Sequence, residues 1–271
     1  MSGMRIHAVQ LATDLTEPND VRVRRATDLV RAQHGADLVV LPELWVQGGF
    51  AFRTFSATAE PLDGPIVAAL AAAARDLGAW VHGGSIVERA DDGRLFNTSL
   101  LFRPDGTLAA TYRKLHLFGF DGGETTVLTP GADLVMAEVD GVSVALATCY
   151  DLRFPELFRA FADRGAELFL LPAAWPTPRI AHWSLLARAR AVEDQAFLVA
   201  CNGSGEQGGL RLGGLSVIVD PWGVVLAEAG DGEEVLVVDV DLALVAKTRA
   251  DFPVLADRRP ELRTGGAADR T

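Results

Sequence analysis

An α/β fold with mixed sheets is predicted by three features of this 271-residue sequence. Short runs rich in Val, Ile and Leu recur from end to end, amphipathic segments of helical length separate several of them, and tight Gly/Asp/Pro turns join others directly. The runs cover residues 6–11, 38–41, 80–87, 142–148, 168–171, 197–201, 216–219 and 235–240. Their length and their bounding Gly, Pro and Asp residues mark them as strands. Helices are expected over 18–34, 65–77, 155–164 and roughly 180–194. The first three carry Pro at the start (Pro18, Pro65, Pro155) and Gly past the end (Gly35, Gly78, Gly165), which is helix punctuation. Hairpins are expected at Asp91-Asp92-Gly93, Pro104-Asp105-Gly106, Asp140-Gly141 and Pro221-Trp222-Gly223. No repeat or linker divides the chain, so one domain is expected over 1–264, followed by a frayed polar tail over 265–271.

Composition narrows the function. Apolar residues make up 49% of the chain, enough for a sizeable core, and acids outnumber bases 36 to 25 for a formal charge of -11. That balance argues against nucleic-acid or anionic-membrane partners. The start lacks a basic region followed by an apolar signal core, and no apolar run approaches the ~20 residues of a membrane span. A cytoplasmic protein is expected. Cys149 and Cys201 are the only cysteines, too few for a disulfide scaffold. The five histidines, His7, His34, His82, His116 and His182, show no ligand spacing with them, so no metal site is indicated.

Chemistry is best sought where strands end. Cys149 follows the run 142–148 and precedes a helix opened by Pro155 and Glu156, so its side chain is held out at the carboxyl edge of a sheet. A thiol there is a good nucleophile only if a base removes its proton or a cation stabilises the thiolate. Glu43, after the strand-like 38–41 and Pro42, reaches an equivalent edge, and Lys114 lies in Tyr112-Arg-Lys-Leu-His-Leu-Phe118, again after a strand-like stretch. Taken singly these are weak signals, because cysteine is commonly core and most lysines and glutamates are solvated. Cys201, within Phe197-Leu-Val-Ala-Cys201, is read as core.

Together the residues become specific. Leu41-Pro-Glu-Leu44, Tyr112-Arg-Lys-Leu-His-Leu-Phe118 and Cys149-Tyr-Asp-Leu-Arg-Phe-Pro-Glu156 stand in the order and spacing of the nitrilase, or carbon-nitrogen hydrolase, superfamily, which the chain resembles over nearly its full length. Leu171-Pro-Ala-Ala-Trp-Pro176, His182-Trp183 and Ala187-Arg-Ala-Arg-Ala-Val-Glu-Asp-Gln195 extend the likeness. The resemblance implies a four-layer αββα sandwich, a Glu43-Lys114-Cys149 triad, hydrolysis of non-peptide C–N bonds without cofactor, and a homodimer. Glu124, in Glu124-Thr-Thr-Val-Leu-Thr-Pro-Gly131, resembles the family's additional active-site glutamate; read alone it is a solvated loop acid beside Asp121. Arg153 stands where carbamoyl-amino-acid hydrolases of the superfamily hold a substrate carboxylate, and a structural ion pair would suit it equally. Trp175, at a strand end, is either pocket wall or core.

The implied chemistry has Glu43 accept the Cys149 proton while Lys114 and the Tyr150 backbone N–H hold the oxyanion. Within the superfamily the motifs resemble most the ω-amidase and deaminated-glutathione amidase branches, with Tyr150 where true nitrilases usually carry tryptophan. A short-chain dicarboxylate monoamide such as 2-oxoglutaramate is therefore the expected small-molecule substrate. Alternatives are a deaminated-glutathione or N-carbamoyl amide hydrolase, a papain-like Cys-His pair using His116 or His182, and a catalytically silent binding protein on the same fold. A membrane acyltransferase of the superfamily is disfavoured by the absence of spanning runs. The loop 119–124 is shorter than in ω-amidases, which bears on substrate size. Gly203-Ser-Gly-Glu-Gln-Gly208 matches a dinucleotide fingerprint but opens no helix, and is read as a flexible loop.

Overall fold

The computed structural model describes residues 3–119 and 122–259. In chain order the strands are β1 (Gly3–Gln10), β2 (Ala12–Asp14), β3 (Leu38–Val40), β4 (Trp80–Arg89), β5 (Leu95–Phe102), β6 (Leu108–Arg113), β7 (Met136–Val139), β8 (Val142–Leu146), β9 (Leu168–Ala173), β10 (Phe197–Asn202), β11 (Ser204–Gln207), β12 (Leu210–Arg211), β13 (Val217–Val219), β14 (Val225–Glu228) and β15 (Glu234–Asp241). The helices are α1 (Asn19–Arg31), α2 (Phe55–Thr58), α3 (Pro65–Leu77), α4 (Pro155–Asp163), α5 (Ile180–Asp194) and α6 (Ala243–Asp251). The predicted tail over 265–271 lies outside the described residues.

Two six-stranded mixed sheets form the centre, ordered β15-β1-β3-β4-β5-β6 and β14-β13-β10-β9-β8-β7. Each is parallel in the middle, where helical crossovers connect the strands, and antiparallel at the sides, where the predicted hairpin turns join β4 to β5, β5 to β6, β7 to β8 and β13 to β14 while β15 and β13 pair with β1 and β10 without one. Because side chains alternate along a strand, each strand serves two layers. Leu38, Val40, Val144, Leu146, Leu168, Leu170, Val199 and Cys201 face the opposing sheet and share one buried cluster. Val39 and Val81 turn outward beneath Ala26 and Val30 of α1 and Ile66 and Leu70 of α3. Ala145, Phe169, Leu171 and Leu198 turn the other way beneath Phe158 and Phe161 of α4 and Trp183 and Ala187 of α5. The result is the four-layer αββα sandwich. Burial on both faces explains why the central strands read as continuous apolar runs.

The decoy segment departs from expectation. Ser204–Gln207 is a strand, β11, pairing in parallel with β2 and antiparallel with β12 in a third, three-stranded sheet. Its polar residues fit there because Gly205 adopts φ +83, ladder bonds pair the backbone, and the end residues Ser204 and Gln207 are buried. Gln207 Oε1 accepts a 2.6 Å hydrogen bond from the Gly49 N–H, clamping the loop after β3. Cys201 is fully buried, and its thiol donates to the Val9 and Val40 carbonyls at 3.4 and 3.3 Å. It is core, as read.

One glycine controls where Glu43 lies. A Cβ on Gly84 (φ +69) would stand 1.9 Å from the Pro42 carbonyl oxygen, whereas one on Gly78 (φ +71) would meet nothing within 4 Å. Both alanine variants carry the left-handed backbone penalty of ~1–2 kcal/mol, and only Gly84→Ala must also displace the Pro42–Glu43 segment. Thermal unfolding and turnover should separate them: Gly78→Ala loses a few degrees and keeps its activity, while Gly84→Ala loses more stability and most activity. Equal effects would show that the close approach at Pro42 is unimportant.

Candidate active site

Four chain segments bring their ends to one cavity, lined among others by Glu43, Lys114, Glu124, Cys149, Tyr150, Arg153 and Trp175. Every residue singled out from the sequence for the site therefore borders the same space. Glu43 follows β3, Lys114 follows β6, Cys149 follows β8 and Trp175 follows β9. Glu124 comes from a short 3-10 turn in the loop after Lys114; residues 120 and 121 of that loop, including Asp121, are outside the described residues.

At the cavity floor a charge cluster is shielded from water: Glu43, Lys114 and Glu124 are 3%, 1% and 2% exposed. Lys114 Nζ donates to Glu43 Oε1 at 2.7 Å and to Glu124 Oε2 at 2.8 Å. Glu124 is thus a buried partner of the ammonium, and the solvated-loop alternative falls. Burial alone would push the Lys114 pKa down, but Glu124 and Glu43 overcome it and hold the ammonium well above its ordinary range. Burial raises Glu124, against the pull of Lys114.

Asn97 was missed in the sequence. From β5 its amide donates to Glu43 Oε1 and Glu124 Oε1, each at 2.7 Å, so one side chain spaces both carboxylates. The available signal was a carboxamide inside Leu95-Phe-Asn-Thr-Ser-Leu-Leu-Phe102, a run buried throughout. A fully buried polar group there needs partners of its own kind.

Cys149 opens a five-residue 3-10 helix (Cys149–Arg153) rather than entering α4 directly, and its own φ is +47. A non-glycine residue in the left-handed region is strained and persists only where its surroundings fix it. Asp151 supplies that fixing. Its fully buried carboxylate accepts from the Thr148 N–H (2.9 Å), Tyr112 Oη (2.6 Å) and the His116 N–H (3.0 Å), with His116 Nδ1 at 2.7 Å, and it closes a capping box with Thr148. The nucleophile turn is thereby tied to the strand end that carries Lys114.

Cys149 and Glu43 border the same cavity, and the thiol pKa is held well above its ordinary value, first by burial and then by the Glu43 charge, against Lys114. Glu43 Oε2 also accepts the Ala174 N–H at 2.8 Å. The Tyr150 N–H meets no acceptor among the described residues. His116 is turned away, stacked on Phe154 at 3.7 Å, and His182 Nδ1 lies 3.3 Å from Arg153 Nη2. Neither forms the cavity lining, so the geometry does not support a Cys-His pair.

Around the mouth stand Phe50, Phe118, Tyr150, Trp175, Arg153 and Arg179. Trp175 serves both readings at once: it is 2% exposed, its indole N–H donates to the Arg179 carbonyl at 2.8 Å, and its ring edges the cavity. Arg153 lies 4.7 Å over that ring and makes no ion pair among the described residues, which removes the structural-salt-bridge reading. No cluster of three or more His, Cys, Asp or Glu suited to a metal occurs among the described residues.

Comparison with known proteins agrees with this geometry. Residues 5–250 match the carbon-nitrogen hydrolase family. A 2-oxoglutaramate amidase of Paenarthrobacter nicotinovorans is 42% identical over 95% of this chain and 90% of its own, and omega-amidase NIT2 of Danio rerio is 36% identical over 97% of each. A solved structure of a glutamate-to-glutamine mutant of the amidase from Nesterenkonia sp. AN1, with the acetamide moiety of fluoroacetamide covalently added at its active-site cysteine, superposes with a TM-score of 0.84 at 30% identity, covering 96% of this chain and 95% of that one. On sequence, fold and family match together, this chain belongs to the carbon-nitrogen hydrolase family.

Proposed function

We propose that this enzyme hydrolyses the amide of a short dicarboxylate monoamide to the dicarboxylate and ammonia, through a thioester on Cys149. The observation that carries the reading is the convergence on one cavity of the Cys149 thiol, the Glu43 carboxylate and the buried Lys114 ammonium bonded to it at 2.7 Å, with Arg153, which makes no ion pair among the described residues, lining the same space. Names of relatives, 2-oxoglutaramate amidase and omega-amidase, support the substrate class.

In the first half, Glu43 accepts the thiol proton as sulfur bonds to the amide carbon, and the carbonyl electrons move onto oxygen. The oxyanion is held by Lys114 Nζ and the Tyr150 N–H, donors fixed in place before the charge develops. The intermediate collapses with cleavage of C–N, and Glu43 returns its proton to departing ammonia. In the second half, Glu43 takes a proton from water, hydroxide attacks the thioester, the C–S bond breaks, and the proton passes back to the thiolate. Glu124 anchors Lys114 and orients the amide nitrogen or the water. Pushing the thiol pKa up suits this cycle, because the proton moves only when a carbonyl is present to receive the sulfur.

Arg153 supplies the specificity. A guanidinium fork binds a carboxylate bidentately, and Arg153 borders the same cavity as the Cys149 thiol, so a short monoamide can present its carboxylate to the one and its amide to the other. The enzyme is proposed to work in the cytoplasm as a homodimer. Exposed Leu185, Val192, Trp222, Val225 and Phe252, with Trp222 stacked on Phe252, offer a second copy one apolar face.

Two measurements test the roles. Lys114→Met should lower kcat by at least about 100-fold with a much smaller change in KM, since the ammonium stabilises charge that exists only near the transition state. An effect confined to KM would make Lys114 a substrate anchor instead. For Arg153, kcat/KM for succinamate should exceed that for butyramide in the wild type, and Arg153→Lys, which keeps the charge and removes the fork, should shrink the preference. Equal wild-type values would end the dicarboxylate reading; an undiminished preference in the variant would acquit Arg153 alone.

A further inference from the structure

The mouth of the cavity holds two guanidinium groups, and the mechanism above employs one. Arg179, at the start of α5, borders the same cavity as Arg153, with its guanidinium carbon 5.1 Å from the centre of the Phe118 ring. Like Arg153 over Trp175, its guanidinium carbon stands over an aromatic ring, a cation–π arrangement that restricts the head group, and its side chain has no hydrogen-bond partner among the described residues, whereas Arg153 Nη2 also lies 3.3 Å from His182 Nδ1. Neither arginine pairs with a carboxylate among the described residues. The two charges sense one another, since Arg179 contributes to lowering the Arg153 pKa, behind burial. Arg211, the other arginine of this region, is engaged with Asp231 at 2.7 Å and does not line the cavity.

Two cations bordering one cavity, with no carboxylate partner among the described residues, repel until a ligand supplies acceptors to both. A single carboxylate satisfies one fork along its two-oxygen edge. The amide end of the substrate belongs to Lys114 and the Tyr150 N–H, so the second fork must find its acceptor near the carboxylate end.

We propose that Arg179 is a second substrate-binding residue, which with Arg153 selects monoamides whose distal carboxylate carries an oxygen acceptor on the adjacent carbon, a 2-oxo or 2-hydroxy acid. Arg153 takes the carboxylate edge; Arg179 takes the remaining carboxylate lone pair together with the neighbouring oxygen, one N–H of its fork to each. Phe118 joins this recognition to the chemistry. Its ring supports Arg179, and its backbone N–H donates to Glu124 Oε2 at 2.8 Å, the same oxygen that receives Lys114.

This inference rests on the proposed amidase reading, and one experiment separates their failures. The kcat/KM ratio of 2-oxoglutaramate to glutaramate, substrates of equal length that differ by the keto oxygen, is measured in wild type, Arg179→Leu and Arg179→Lys. Both substrates are assayed on the same sample, so any unfolded fraction cancels. A hydrogen bond from a charged donor corresponds to roughly tenfold or more in the wild-type ratio, and Arg179→Leu should bring the ratio close to one. Arg179→Lys, which retains the charge but not the fork, should fall between, and it decides the matter should the leucine variant be inactive on both. A wild-type ratio near one, or a ratio unchanged by the substitution, overturns the assignment of Arg179. Wild-type rates on both substrates no better than on butyramide overturn the dicarboxylate reading, and this inference with it.

Discussion

The site depends on one buried interaction, the Lys114 ammonium held between the carboxylates of Glu43 and Glu124. Taking three charges out of water costs several kcal/mol each, and their mutual attraction offsets it only where geometry is close and the remaining lone pairs are satisfied. Both conditions hold here. The ammonium contacts are 2.7 and 2.8 Å, and Asn97, the Ala174 N–H and the Phe118 N–H complete the two carboxylates. The donors and acceptors come from β3, β5, the end of β6, the following loop and the end of β9, so the cluster can assemble only when both sheets are packed. Removing one member strands a charge, which makes the cluster as much a constraint on the fold as a device for chemistry.

From that cluster the rest of the site follows. Glu43 is fixed by Lys114 and Asn97 on one oxygen and by the Ala174 N–H on the other, and it faces the Cys149 thiol. The thiol reaches it because Cys149 adopts a left-handed backbone that Asp151 holds in place from below, while Leu44, with φ +46, makes the matching sharp turn beside Glu43. Local strain on both sides of the carboxylate–thiol pair is stored in a frame rigid enough to bear it. The same cavity is bordered by Arg153 and Arg179, whose guanidinium groups stand over the rings of Trp175 and Phe118.

Much of this was legible in the sequence because the signals were periodic or punctuated. Central strands buried on both faces appear as apolar runs, helices α1, α3 and α4 are bracketed by Pro and Gly, and each predicted hairpin turn joins two strands. Glu43, Lys114 and Cys149 were visible as strand-end residues whose motifs resemble one family. What escaped detection lacked such signals. Asn97 is one amide in an apolar strand, recognisable only once its two carboxylate neighbours are in space. The strand Ser204–Gln207 is polar and glycine-rich, and pairs through its backbone with the three-residue β2, so side-chain pattern could not reveal it. Arg179 was legible only as an alternative carboxylate anchor, alongside Arg211; it stands 26 residues beyond Arg153 in sequence and joins it because β9 and the turn into α5 return the chain to the cavity. Whether Arg153 was a structural ion pair or a free cation was a question about its neighbours, which sequence spacing does not contain.

The central claim, that Cys149 carries the reaction from within this cluster, is tested most directly by ammonia release from succinamate by Cys149→Ala, with folding verified by circular dichroism. The account predicts a loss of at least about 10⁴-fold in kcat, since both attack and thioester formation require the sulfur. A folded Cys149→Ala enzyme that retained kcat within tenfold of wild type would contradict it.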